Sequence, residues 1–245
     1  IQTNNAGAAT IYTSGNYSYT INDDKATIEK YNGTEDSVKI PDTIDGYSVE
    51  KIGSAAFKNC KTITNIEIPG TVVEIGAYAF ENTSLDKIEL PAAIQYLGEG
   101  IIYGNTKITS VNIPKTITGM GRVFRGSAIK EVKFETGIKK IPGEGLYDAE
   151  KLEKVEIPEG VEEIGAGTFK NCIMLTSIEI PETVVEIGSY AFENTGLDKI
   201  ELPASIQYLG EGIIYGNSKI TSVNIPKTIT GMGGTFRGSV IKEAK

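Results

Sequence analysis

The stretch Leu175-Thr-Ser-Ile178-Glu-Ile180-Pro181-Glu-Thr-Val184-Val-Glu-Ile187-Gly188-Ser-Tyr-Ala191-Phe192 decides how the chain is read. Its first apolar residues alternate with period 2, so Ile178 and Ile180 face a core while Glu179 faces away. Pro181 then stops any strand ladder, because it has no N–H to donate. The same apolar-x-apolar-Pro signature recurs as Val38-Lys-Ile40-Pro41, Ile66-Glu-Ile68-Pro69, Ile88-Glu-Leu90-Pro91, Val111-Asn-Ile113-Pro114, Val155-Glu-Ile157-Pro158, Ile200-Glu-Leu202-Pro203 and Val223-Asn-Ile225-Pro226. Val132-Lys-Phe134-Glu135 fills the one gap, with Glu in place of Pro. Successive starts lie 21 to 23 residues apart apart from a first step of 28, where Asp45-Gly-Tyr-Ser-Val49 reads as a short insertion. Self-similarity at a fixed period of this length predicts a solenoid, here of about nine stacked units of roughly 23 residues.

Each unit reads as a strand, Pro, an apolar residue, Ile-Gly or a near equivalent, Ala-Phe or a near equivalent, and a turn. From Ile66 onward the expected inward set is Ile66, Ile68, Val72, Ile75, Phe80 and Leu85. One such unit buries too little to offset the conformational entropy of ordering its residues, so the units must cover one another's flat faces.

Two columns near the turn carry conformational information. The first holds Asn59, Asn82, Gly104, Gly126, Asp148, Asn171, Asn194, Gly216 and Gly238. Asn, Gly and Asp are the residues that tolerate positive φ, so the column predicts a left-handed backbone position closing the convex segment. The next column, Cys60, Thr83, Asn105, Ser127, Ala149, Cys172, Thr195, Asn217 and Ser239, is small and mildly polar, as a tight inner corner bonded to neighbouring backbone requires. Cys60 and Cys172 would lie five layers apart, about 24 Å at ~4.8 Å per layer. A disulfide needs Cα atoms within about 7 Å, so both are expected as free, buried thiols.

A longer repeat overlies the short one. Residues 54–133 and 166–245 match at a constant offset of 112, with 64 of 80 positions identical, so a block of five units has been duplicated. Before the repeats, Tyr17-Ser-Tyr19-Thr-Ile21, the turn Asn22-Asp23-Asp24 and Ala26-Thr-Ile28 alternate like a β-hairpin that would cover the first layer. The expected division is residues 1–37 as tail and hairpin cap and residues 38–245 as solenoid. The small polar run from Ile1, with no Met, fits a mature or trimmed secreted chain. Ile241-Lys-Glu-Ala-Lys245 stops within a strand motif, so a further segment or another chain is expected over that face.

With these residues in hand, the run Leu-x-x-Ile-x-Ile-Pro-x-x-Val-x-x-Ile-Gly-x-x-Ala-Phe of Leu175 to Phe192, preceded by Phe169-Lys-Asn-Cys172, resembles the BspA-type leucine-rich repeat, also called the Treponema pallidum type. The resemblance runs from about Val38 to the end. It implies an α/β-type repeat solenoid, mainly of short parallel strands, wound as a right-handed leucine-rich-repeat superhelix. It also implies secretion or display on a bacterial surface and adhesion to host matrix proteins or other cells. The buried asparagine ladder of the general leucine-rich pattern is not expected, since Thr71, Ala93, Thr116, Gly137, Gly160, Thr183, Ser205 and Thr228 occupy that neighbourhood.

Little in the sequence points to chemistry. There is no His, which removes the commonest general base and every Ser-His-Asp or Cys-His arrangement. Glu67, Glu89, Glu156, Glu179 and Glu201 recur on one face, whereas an active site is a single asymmetric constellation, so they read as a solvated strand face. Gly119-Met-Gly121 and Gly143-Glu-Gly145 lack the strand-loop-helix setting and the Lys of phosphate loops. Asn22-Asp23-Asp24 serves a hairpin turn better than a calcium ion. No enzyme activity, cofactor or metal is expected. The net charge of −8 excludes the basic footprint of nucleic-acid binding, and no run of apolar residues is long enough to span a membrane.

The expected function is therefore partner binding, with a protein as the partner. The candidate strand-face residues are Asn65, Glu67, Lys87, Glu89, Asn112, Lys133, Lys154, Glu156, Glu179, Lys199, Glu201 and Asn224. Their charges alternate and include no aromatic, whereas Tyr78, Tyr96, Tyr103, Tyr190, Tyr208 and Tyr215 fall on the other segments and mark the convex side as the alternative surface. A passive spacer and a glycan-binding module are the competing readings. The left-handed column makes a direct prediction. Asn171→Val should lower stability by about 1 to 2 kcal/mol, the penalty for a left-handed β-branched residue, and an unchanged thermal unfolding midpoint would contradict it.

Overall fold

The computed structural model describes residues 9–244, so the expected tail at 1–8 and Lys245 lie outside the described residues. The chain is a β-solenoid of stacked parallel strands, and none of the described residues is helical. The α/β expectation is thus corrected. After Phe80, Phe124, Phe169 or Phe192 each coil turns within a few residues, with no segment of helical period.

Near the start, β1 (Tyr12–Ser14), β2 (Tyr17–Asn22) and β3 (Lys25–Tyr31) pair antiparallel in sequence order. Asp23 and Asp24 have φ of 48° and 58°, the positive values that a tight hairpin turn demands. Next come β4 (Ser37–Lys39), β5 (Thr43–Ile44) and β6 (Tyr47–Ile52). β3 joins β6 in parallel and hands the hairpin over to the solenoid. Tyr19, Ala26, Ile28 and Tyr31 are buried there, and the Tyr31 ring stacks on Phe57 at 5.2 Å, beginning a column that continues to Phe80 at 5.4 Å.

Each coil has three sides, and strand pairing or backbone bonds on these sides join it to the next layer. On the first side the apolar-x-apolar strands pair in register: β4 with Asn65–Glu67, and Ser110–Ile113 with Glu131–Phe134 and then Lys154–Glu156. The second side carries two-residue strands just before the recurrent glycine. These run from β6 through Glu74–Ile75 and Tyr96–Leu97 to Gly119–Met120, and from Lys140–Ile141 through Glu163–Ile164, Glu186–Ile187 and Tyr208–Leu209 to Gly231–Met232. On the third, turn side, backbone N–H groups donate forward to the following coil. Ala55, Phe57 and Asn59 bond the carbonyls of Ala77, Ala79 and Glu81 at 2.8 to 2.9 Å.

The first side departs from expectation. Ile88-Glu-Leu90, Ile178-Glu-Ile180 and Ile200-Glu-Leu202 are not strands. Their layers are held by burial of Ile88 and Ile200 and by the bonds of the other two sides. The inward set is otherwise as expected. Ile66, Val72, Ile75, Phe80 and Leu85 are buried, while Ile68, next to the proline, is half-buried.

The turn side confirms the expected left-handed column at all nine positions, from Asn59 at 62° to Gly238 at 65°. The asparagines there also form a surface ladder, with Asn171 Nδ2 donating to Asp148 at 2.8 Å and Asn194 Nδ2 to Asn171 at 2.9 Å. A second left-handed column lies four residues earlier: Ala55, Tyr78, Gly100, Arg122, Glu144, Gly167, Tyr190, Gly212 and Gly234, with φ between 48° and 61°. In the inner-corner column, Asn105 and Asn217 are buried and donate to Phe80 and Phe192 of the preceding layer. Cys172 Sγ reaches Leu146 O at 3.2 Å.

The recurrent glycine of the second side is required by close approach. A Cβ on Gly76, Gly98, Gly165, Gly188 or Gly210 would sit 2.3 to 2.6 Å from a backbone nitrogen of the preceding layer. Gly188→Ala therefore forces the layers apart and is expected to cost about 1 to 3 kcal/mol, as core overpacking does. Gly70→Ala, with nothing within 4 Å of the new methyl, should leave the unfolding midpoint unchanged. Both cysteines are free, but only Cys172 is buried, which corrects the expectation for the half-buried Cys60. Burial pushes both thiols up. In native protein Cys60 should react with a thiol reagent well before Cys172, and equal rates would refute this difference in access.

Candidate functional site

The expected strand-face residues lie on the first side and, apart from the half-buried Glu156, are exposed. Most are neutralised within a residue or a layer. Lys87 meets Glu89 and Lys199 meets Glu201 at 2.6 Å, and Glu67 meets Lys39 at 2.7 Å. Lys154 bridges Glu131 at 2.7 Å and Glu156 at 2.6 Å, while Lys133 lies 3.1 Å from Glu156. Asn65 Nδ2 donates to Ser37 Oγ at 3.1 Å. Glu179, Asn112 and Asn224 have no side-chain partner among the described residues. These ammonium groups hold the carboxyls of Glu89, Glu156 and Glu201 below the usual carboxylate range, which moves them away from general-acid work near neutral pH. Exposed pairs of this kind add little stability. Three of the expected residues do converge. Glu89, Asn112 and Lys133 rim a groove of about 730 Å³ whose apolar wall is Ile88, Leu90 and Ile113.

The turn side has a different chemistry. One column presents Lys58, Glu81, Tyr103, Arg125, Tyr147, Lys170, Glu193, Tyr215 and Arg237, one per layer. Arg125 Nη1 bonds Glu99 at 2.6 Å, and Tyr78 also hydrogen bonds Glu99. The guanidinium, followed by Tyr78, holds the Glu99 carboxyl below its ordinary range. Tyr78 meets Tyr103 edge-on with ring centroids 6.0 Å apart. The duplicated block repeats the arrangement. Arg237 Nη1 bonds Glu211 at 2.5 Å, Tyr190 hydrogen bonds Glu211, and Tyr190 meets Tyr215 at 6.4 Å. Between the two clusters, the Arg122 guanidinium sits 4.3 Å from the Tyr147 ring centroid, and the Lys170 ammonium lies 5.4 Å from the same ring.

Six tyrosines rest against glycines of the following layer. A Cβ on Gly100, Gly119, Gly126, Gly212, Gly231 or Gly238 would come within 2.1 to 2.8 Å of the ring of Tyr78, Tyr96, Tyr103, Tyr190, Tyr208 or Tyr215 respectively. Each glycine thus makes a seat for a ring, and Tyr96, Tyr103, Tyr208 and Tyr215 keep 39 to 44% of their surface exposed. Sequence reasoning located these tyrosines but missed the arginines beside them and the left-handed backbone beneath Tyr78, Arg122 and Tyr190. The available signal was the 22- or 23-residue step from each tyrosine to its glycine.

Among the described residues no cluster of His, Cys, Asp and Glu could hold a metal ion, and no helix is long and apolar enough to cross a membrane. With the geometry established, likeness to known proteins is informative. None of the curated proteins matches the sequence. A leucine-rich repeat protein from Bacteroides ovatus has a similar structure, with 25% identity and a TM-score of 0.59 over 95% of this chain and 70% of that one. A leucine-rich repeat protein from T. pallidum shares the fold, with 22% identity and a TM-score of 0.51 over 68% of this chain and 91% of that one. Leucine-rich repeat solenoids are typically non-enzymatic binding modules that use extended surfaces. The pattern of the BspA type leucine rich repeat region matches residues 31–149 and 139–245, in six copies, and the chain belongs to that family.

Proposed function

We propose that this chain is a non-enzymatic, secreted or surface-displayed bacterial module that adheres to a protein partner, such as host matrix, with its anchor on the turn side. One observation carries the reading. Tyr78, Arg122 and Tyr190 hold left-handed backbone at positions where other layers have Gly100, Gly167, Gly212 and Gly234. A glycine there would relieve about 1 to 2 kcal/mol of strain per site, so the tyrosine and arginine side chains are retained against a local cost. Strain of this kind collects at functional sites. Tyr and Arg are also the residues that dominate protein hot spots.

Family membership supports the extracellular setting, and the first-side groove of Glu89, Asn112 and Lys133 is the second contact region of the proposal. The strand-face groups Asn65, Glu67, Lys87, Lys154, Glu156, Glu179, Lys199, Glu201 and Asn224 are proposed as its polar surroundings. Because the Tyr-Glu-Arg cluster occurs twice, a partner able to reach both would gain avidity, by about 10² to 10⁴ for well-matched linkage.

Surface plasmon resonance against immobilised matrix proteins and mucins tests the reading, with the double variant Tyr78→Gly/Tyr190→Gly beside the parent. The parent should bind at least one of them. The relieved strain offsets the lost packing of each ring on its glycine seat, so the variant should remain folded and lose that binding. A parent that binds none of them even when dimerised, or a variant that binds as well as the parent, would refute it.

A further inference from the structure

We infer that the groove between Tyr103 and Asp148 is a binding site for a neutral saccharide, adjoining the anchor proposed above and sharing Arg125 with its Tyr-Glu-Arg cluster. The groove encloses about 390 Å³, within the range of small-molecule sites. Its wall is the Tyr103 ring, which is 39% exposed and seated on Gly126. A sugar ring has an apolar face of C–H groups that packs on such a platform, and a rim of hydroxyls that need both donors and acceptors.

Both kinds of polar group are present at the rim. Arg125 is held by Glu99 at 2.6 Å and by Asp148 at 3.9 Å, so its remaining N–H groups are fixed before a ligand arrives. Asp148 is itself fixed, accepting from Asn171 Nδ2 at 2.8 Å. Groups already immobilised lose less entropy on binding. Glu150 and Lys151 form no ion pair among the described residues and complete the rim with one acceptor and one donor. Two cationic and two anionic side chains line the groove, and Arg125 is further compensated by Glu99. The balance disfavours a sulfated or phosphorylated ligand and suits an uncharged polyhydroxylated one. The duplicated block repeats Tyr215, Gly238 and Arg237 at the same offset.

The test is titration of the 245-residue chain with neutral oligosaccharides of glucose, galactose and N-acetylglucosamine, with a sulfated oligosaccharide in parallel. Calorimetry and intrinsic tyrosine fluorescence, unobscured because the chain has no Trp, report binding. At least one neutral series should bind saturably. Tyr103→Ala and the pair Glu150→Gln/Lys151→Gln should each weaken it by about tenfold or more, the equivalent of roughly 1.4 kcal/mol, with the unfolding midpoint unchanged. Absence of neutral-saccharide binding, preference for the sulfated probe, or undiminished binding by Tyr103→Ala would each overturn the assignment. Matrix-protein binding that survives any of these failures leaves the protein-binding reading standing on its own test.

Discussion

The constraint on which the rest depends is the approach of one coil's backbone to the next at the recurrent glycine. At Gly76, Gly98, Gly165, Gly188 and Gly210 the distance leaves no room for a methyl group. That approach lets two-residue strands, far too short to be stable alone, join into ladders four and five layers deep. It also brings the turn side within reach of the forward N–H bonds of the next coil. Side-chain packing follows from this spacing. Phe169 and Phe192 stack at 5.3 Å with their planes 7° apart, close to the separation of neighbouring parallel strands.

Bonding on three sides allows interruptions to be staggered. Between the layers of Ile88 and Val111 the first side has no strand pairing, yet Tyr96–Leu97 still pairs with Gly119–Met120, and Gly100 and Ile101 still donate to Arg122 and Val123. Between Met120 and Ile141 the second side is interrupted, while Ser110–Ile113 continues into Glu131–Phe134 and Arg122 and Val123 bond Glu144 and Gly145. Neither of these interfaces relies on one side alone, so a local lapse in the repeat does not open the stack.

The sequence was informative where one residue type answers one physical need. The column from Asn59 to Gly238 was readable because Asn, Asp and Gly are the residues that adopt positive φ most readily. The column from Ala55 to Gly234 has the same backbone but holds Tyr, Arg, Glu and Ala, which hide the requirement. The second side was missed as a ladder because a pair such as Glu186-Ile187 is too short to show an alternating pattern. The α/β expectation came with the general leucine-rich likeness and had no helical periodicity behind it. For the candidate site, the strand-face residues other than Glu156 are exposed as expected, but their pairing across layers, as between Lys154 and Glu131, needs the register that only the stack provides. The tyrosine seats were unreadable for the same reason, since a ring and its glycine meet across layers.

The constant offset of 112 residues has an evolutionary consequence. A deletion or insertion of one complete 112-residue step, with its junction inside the duplicated segments, joins coils from blocks identical at 64 of 80 positions, so the new layer interfaces closely repeat existing ones. The solenoid can thus lengthen or shorten by five coils, about 24 Å at ~4.8 Å per layer, without any new packing solution. The length of the stack becomes a quantity that recombination between the two blocks can vary in whole steps, while every coil keeps a neighbour close to one it already fits.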